Sequence, residues 1–532
     1  MTTEPPRAGV GGVDSAEPFD SGDPTVGDAR QRRTILVGVC IALMAVIASV
    51  TGLNVAQPEL AVEFGASQST VLWFINLYTI SLAALLLPLG ALGDRLGRKP
   101  VLVVGLTLFG CANVAAGLAV SSEMMLASRF AAGVGAAMVM PVTLAVITAT
   151  FPEEERAKGI GVWTGVAGGG GMLGMYLSAL LVDVATWRWL FVLPVALVLV
   201  ALAITLRSVP NSREHTEHRF DTTGSVTSVL AVLGLVYALH EGPVHGWTEP
   251  ATLIGLAGGI LALAGFVVWE LRQVAPLLDV RLFKERRLAG GSVALLGVFG
   301  VLAGIFVVLF PFFQAVLGWS ALRATLGMMP MALLMMLASG LAPHVAGRLG
   351  ARATMATGIF VGGAGLALMA SLVSVDGGYL SVLPGMLVMG VGMGLSMTPS
   401  TEAITSALPR ERQGVASALN DVTRELGTAV GVALLGAVLS AGYRSSIDAR
   451  LEGVPAGVAD TAREGVANAV AAAGAHPQAQ ALVRAAQEAF VEGWQHAMWA
   501  GAAVMGLLLV YVVARGPRPA PPPTAPVTET AP

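Results

Sequence analysis

Fourteen nearly unbroken apolar stretches divide the chain, at residues 34–56, 71–92, 100–120, 124–148, 159–182, 189–206, 223–240, 251–270, 288–316, 324–346, 353–373, 379–401, 415–442 and 494–514. Each is close to, or longer than, the roughly 20 apolar residues that cross a hydrocarbon core about 30 Å thick. Backbone polar groups in hydrocarbon must pair within their own segment, so each stretch is predicted to be a helix. Residues 1–33, rich in Pro, Gly, Asp and Glu, are expected to be a disordered cytoplasmic arm. Acidic residues and prolines stand where a signal peptide would be basic. The tail 515–532, with PRPAPPPTAP from Pro517, is expected to be extended and solvated.

The basic residues orient the helices. With the N-terminus inside, 24 of the 31 Lys and Arg fall in inner segments, and the short outer loops hold only Arg188 and Arg323. That is the asymmetry of the positive-inside rule, and a miscounted span would scramble it. Both termini are therefore placed in the cytoplasm, with the chain in the cell membrane. The long outer loop 443–493 is Ala-rich with helical periodicity at Val458, Ala462, Val466 and Val470, and again at Leu482, Ala486 and Phe490. Amphipathic outer helices are expected there.

Composition narrows the function classes. Of 532 residues, 55% are hydrophobic and 12% charged, against about 25% charged in soluble domains. A net charge of −3 offers no basic face for nucleic acid. Cys40 and Cys111 both lie in apolar runs and are read as small core residues. Seven scattered His show no metal-ligand spacing and no nucleophile–base pair, and no Gly-rich phosphate loop is followed by Lys. No metal, cofactor or enzymatic activity is expected.

An internal repeat organises the spans. PLGALGDRLGRK from Pro88 is echoed by APHVAGRLGAR from Ala342, with Arg95, Gly97 and Lys99 aligning on Arg348, Gly350 and Arg352 at an offset of 253. Pro141 with FPEEER from Phe151 is echoed by Pro399 with LPRER from Leu408 at offsets of 258 and 257. Parallel repeats are a common way to build alternating-access carriers. Spans one to six pair with spans nine to fourteen, and spans seven and eight form an inserted hairpin. The expected units are a six-helix bundle over 34–206, a linker with two extra helices over 207–287, and a second bundle over 288–514.

The segment GALGDRLGRKP, Gly90–Pro100, resembles the signature loop of the major facilitator superfamily. Asn54-Val55-Ala56 with Pro58, Trp73 and Tyr78, Arg129 with Gly133 and Gly135, Trp187-Arg188-Trp189, PLLDVRLFKERR from Pro276 and SALNDVTRELG from Ser417 are similar to its fourteen-span drug:proton antiporters. The resemblance implies a gating loop carried by Gly90, Asp94, Arg95, Gly97 and Arg98, and a coupling or cavity role for Arg129. An ionised side chain at the centre of a span costs about 2.5–3.5 kcal/mol. Arg129 and the trio Asp421, Arg424 and Glu425 on span thirteen must therefore face an inner passage rather than lipid. Asp421 reaches Arg424 at i+3 and Glu425 at i+4. A carboxylate there, desolvated yet beside an Arg, is suited to exchanging a proton. Span five carries two small-residue ladders, Gly161-Gly165-Gly169 and Gly170-Gly174-Ser178, which let helices touch backbones.

The chain departs from the family pattern at three places. Ser49 stands where span one carries an acid, and Met175 and Ser178-Ala179 replace a Gly-Pro…Gly-Gly motif associated with antiport. The expected Asn is missing near Leu193-Pro194. The leading expectation is a monomeric exporter of amphipathic drugs or antibiotics driven by proton influx, with the small molecule, protons and the bilayer as its partners. A lipid or solute facilitator, or a non-transporting membrane sensor, are the alternatives.

Overall fold

The structure is a computed structural model describing residues 25–184, 186–212, 220–451, 454, 456–473 and 479–517. Fourteen long helices dominate it: α1 (Ala29–Val55), α2 (Gln68–Leu96), α3 (Arg98–Gly117), α4 (Ser122–Thr150), α5 (Glu153–Val184), α6 (Val192–Ser208), α7 (Thr222–His245), α8 (Pro250–Glu270), α9 (Arg286–Pro311), α10 (Ala321–Leu349), α11 (Ala351–Leu372), α12 (Gly378–Thr405), α13 (Gln413–Asp448) and α14 (Ala479–Arg515). Among the described residues thirteen are long and apolar enough to cross a membrane, and the fourteenth, α5, spans 32 residues.

The repeat read from two motifs runs through the architecture. In the first half α1 packs on α4, α5 and α6, α4 on α2 and α3, and α3 on α6. Every one of these pairs recurs eight helices later, from α9–α12 to α11–α14. The local signals recur as well. Ser67 Oγ caps α2 by accepting the Thr70 N–H, and Ser320 Oγ caps α10 by accepting that of Arg323, both at 3.2 Å. Gly97 and Gly350, at φ +107° and +85°, end these helices in a backbone region that L side chains rarely enter. Across the seam α2 packs on α13 and α5 on α10, each helix meeting the other half's counterpart of its partner. The inserted pair α7–α8 packs through α7 onto α2 and α13. Its outer helix α8 turns Leu253, Ile254 and Leu261 outward, the lipid-facing pattern of a peripheral span.

The helix ends differ from the expected boundaries. Helix α1 starts at Ala29, inside the segment read as disordered. Asp28 accepts the Arg30 N–H, the Val26 N–H donates to the Thr150 carbonyl at 2.9 Å, and Arg32 donates to the carbonyls of Val26 and Gly27 while pairing with Glu155 at 3.0 Å. Residues 25–33 are thus tied to the bundle, and 1–24 lie outside the described residues. At the end away from the basic loops α13 continues to Asp448 and α14 begins at Ala479, with the helices Ala456–Glu464 and Val466–Ala473 between them. Helices do not stop where hydrocarbon stops, so apolar runs understate their length. This helical cap is pinned by Arg484, whose guanidinium grips both carboxylate oxygens of Asp376 at 2.6 Å. That grip holds the Asp376 carboxyl below the usual carboxylate range.

Candidate transport and coupling site

Three polar constructions interrupt the apolar bundle. On the face that carries the basic loops, Asp94 at the end of α2 is buried against the start of α13. Its oxygens accept the N–H groups of Gly414 at 2.8 Å and Val415 at 3.1 Å, and Arg98 pairs with it at 2.9 Å. A carboxylate at a helix N-terminus satisfies orphan donors and complements the positive end of the dipole. Arg98 also donates to the Ser212 hydroxyl and, at 3.3 Å, to the Glu411 carbonyl. The close approach requires Gly90, because a Cβ there would lie 2.6 Å from the Gly414 carbonyl oxygen. Gly97 lets the chain turn into α3, and a Cβ on it would strike the Asn211 side chain. Arg95 is exposed and stands apart from this clasp.

The second construction surrounds Arg129 on α4, which is fully buried. Its Nε donates to the Phe74 carbonyl at 2.9 Å, Nη1 to the Ser49 hydroxyl at 3.0 Å and Nη2 to the Ser49 carbonyl at 3.3 Å. Ser49 in turn donates to Asn113 Oδ1 at 3.1 Å, and the guanidinium lies 4.3 Å from the Tyr78 ring centroid. Carbonyls, a hydroxyl, an amide and a π face hold the charge, and no carboxylate lies within ion-pairing distance among the described residues. Groups on α1 and α2, with Asn113 of α3 behind Ser49, take up the whole guanidinium.

The third lies on α13. Asp421, fully buried, accepts from Arg424 Nη1 at 3.3 Å and from Asn420 Nδ2 at 3.2 Å. The Arg424 guanidinium lies between two aromatic rings, 4.4 Å from the centroid of Phe299 on α9 and 5.4 Å from that of Trp163 on α5. This charge therefore bridges the two halves. Four buried polar atoms along the same stretch have no hydrogen-bond partner: Ser417 Oγ, Asn420 Oδ1, Asp421 Oδ2 and Arg424 Nε. Glu425, the third member of the expected trio, makes no ion pair among the described residues and is partly buried. It lies close enough to both Arg424 and Asp421 to interact with them electrostatically.

The glycine ladder of α5 sorts by partner. Gly161, Gly165 and Gly169 face α10, where Cβ atoms would meet the Ser339 carbonyl at 2.9 Å, Met336 at 3.3 Å and Met336 again at 2.5 Å, whereas Gly170 faces Met44 of α1. Gly174 is buried. Next to the ladder, Thr164 and Thr398 share a hydrogen bond of 2.7 Å across the halves, continued by Thr398 to the Ser339 carbonyl at 3.1 Å. Sequence reasoning missed Asn113, Asn420, Trp163 and this Thr pair. Asn113 and Asn420 carried a usable signal, a strong polar group inside an apolar run. The Thr pair carried none, because Thr in a span bonds equally well to its own helix.

The Major Facilitator Superfamily profile matches residues 39–432. The chain is 33% identical over 500 residues to the methyl viologen resistance protein SmvA of Salmonella typhimurium, covering 91% of this chain and 97% of that protein. It is 33% identical over 451 residues to the multidrug efflux pump LfrA of Mycolicibacterium smegmatis, covering 83% and 88%. Among solved structures, the human organic anion transporter MFSD10 matches with a TM-score of 0.60 at 14% identity, over 90% of this chain and 99% of that one; this likeness concerns the fold alone.

Proposed function

The chain belongs to the major facilitator superfamily, and we propose that it exports amphipathic small molecules of the drug and antibiotic type by alternating access, driven by proton influx. It is a multi-pass membrane protein of a transporter family, and its efflux relatives support drug export. We place it in the cell membrane with both termini cytosolic, on the strength of its basic inner loops, and take the single chain as the transporting unit. The observation that carries the coupling reading is the row of unpartnered polar atoms on α13 around Asp421 and Arg424. A buried polar atom without a partner costs about 1–3 kcal/mol. Such a cost is tolerable where a transported molecule, a proton or water completes the site for part of the cycle.

In this reading Asp421 trades its proton for the Arg424 contact. When protonated, it donates a hydrogen bond and loosens its hold on the guanidinium. When ionised, it draws Arg424 back between Phe299 and Trp163, and the α5 and α9 faces move with it. The α2–α3 clasp on α13 and the glycine seam of α5 on α10 are the two contacts that such a cycle makes and breaks. One observation favours a second reading, an uncoupled facilitator: Arg129 has a hydroxyl where the family pattern has an acid. Proteoliposomes loaded with ethidium or methyl viologen under an imposed pH gradient separate the two. Gradient-driven efflux that Asp421→Asn abolishes supports antiport, and movement indifferent to the gradient and to the substitution refutes it.

A further inference from the structure

The two halves treat their inner loops differently. In the first half the clasp is complete, because Asp94 supplies the carboxylate. At the repeat offset of 253, the counterpart of Asp94 in the α10–α11 loop is Gly347, which has no side chain to offer. The space beneath the second half is a cavity of about 1110 Å³. It opens among the tip of α5, the α10–α11 loop and the inner ends of α9, α12 and α14. Three guanidinium groups line it: Arg156 on α5, Arg287 on α9 and Arg352 on α11, opposed by the carboxylates of Glu153 and Glu402. Arg287 and Arg352 make no ion pair among the described residues. In the first half the arm 25–28 and the segment Val209–Ser212 are tied to the bundle on the same face, through Val26 on the Thr150 carbonyl and Arg98 on the Ser212 hydroxyl.

We propose that this cavity is an anion site, and that a phosphate or carboxylate group held by Arg156, Arg287 and Arg352 completes the second latch in place of the carboxylate that Gly347 lacks. Several guanidinium forks converging on one cavity match the oxygens of such a group better than a single point charge would. Three cations against two carboxylates leave the lining net positive. The anion bridges α5 of one half to the α10–α11 loop of the other, as Asp94 and Arg98 bridge α2 and α3 to α13. Its source is either the headgroup of an acidic lipid in the inner leaflet or a soluble phosphate. The site does not depend on what the protein transports.

The test uses the full chain with Cys40 and Cys111 replaced by Ser and spin labels at Glu154→Cys and Arg348→Cys, both outside the cavity lining. The protein is reconstituted in nanodiscs of phosphatidylcholine alone, of phosphatidylcholine with added inorganic phosphate, or of phosphatidylcholine with phosphatidylglycerol. The interlabel distance distribution is expected to narrow and shorten with an anion. Narrowing with phosphatidylglycerol alone assigns a lipid headgroup, and narrowing with phosphate assigns a soluble anion. The same distribution in all three discs overturns the proposal, as does a response that survives the paired substitution Arg287→Gln and Arg352→Gln. Gly347→Asp provides an independent reading. A Cβ at Gly347 meets nothing within 4 Å, so the variant is sterically free to fold. It is expected to give the narrow distribution without any added anion, and a distribution as broad as the parent's would overturn the proposal.

Discussion

Arg129 and Arg424 are both buried guanidinium groups on inner helices, one in each half, and they are held in opposite ways. Around Arg129 the contacts are neutral: two carbonyls, a hydroxyl backed by Asn113, and the face of Tyr78. Around Arg424 there is a carboxylate, yet the guanidinium Nε and the second oxygen of Asp421 are left without partners. A satisfied centre holds a single arrangement, whereas one with open valences has room for another. The difference teaches that charge burial alone does not mark a working site. The completeness of its hydrogen bonding distinguishes a fixed strut from a moving part.

This contrast can be broken or sharpened by substitution. The largest expected effect is on folding. Arg129→Ala leaves the Phe74 and Ser49 acceptors buried and empty and opens a void, and should cost about 3–5 kcal/mol, by analogy with removing one member of a buried charged contact. Detergent-solubilised protein should unfold at a markedly lower temperature. If Arg129→Ala were as stable as the parent, the strut reading would fail. Asp421→Asn, nearly isosteric, is expected to leave the unfolding temperature close to the parent's while lowering gradient-driven efflux at least tenfold. A variant that lost stability and transport together would erase the distinction.

The next effect is on the inner clasp. Asp94→Asn removes charge-assisted bonds to Gly414, Val415 and Arg98, each worth about 1.5–3 kcal/mol at most. Spin-label distances across the α2–α13 seam should shift toward an opened inner face. Ser49→Asp tests the comparison in reverse, since it gives Arg129 the carboxylate it lacks. The pair should raise thermal stability at neutral pH and lose that gain on acidification, and an unchanged pH profile would show that Ser49 does not face the guanidinium. The smallest effect belongs to the helical cap. Arg484 depresses the Asp376 pKa, so this contact contributes only above the carboxylate's unfolded pKa of about 3.9 and is lost as pH falls through the depressed folded value. Both groups are exposed, so Asp376→Asn should change stability slightly at pH 7 and not at all at strongly acidic pH, as followed by thermal unfolding across pH.

Much of the fold was legible because hydrocarbon imposes one rule on every span. The stretch 251–270, which lies one residue from α8, shows how closely an apolar run can report a lipid-facing helix. The rule fails where protein replaces lipid or water as the neighbour, as at Ala29, Asp448 and Ala479, where packing extends helices past their apolar cores. The candidate site was half legible. Arg129 and Asp421 stood out because a charge in an apolar run is costly. Their partners did not, because Asp94 and Gly414 are 320 residues apart in sequence, and a Ser–Asn–carbonyl cradle leaves no charge pattern to read.

The inserted hairpin has a consequence for the protein's outline in the membrane. Helix α7 covers the α2–α13 seam, with Trp73 and Tyr237 6.2 Å apart at that junction. At the α5–α10 seam a helix that touches both partners is α12, a member of the second bundle itself, and the glycines of α5 close that seam on Met336 and Ser339. One flank is thickened by an added helix and the other is sealed by backbone contact, so the bundle is lopsided in the plane of the bilayer.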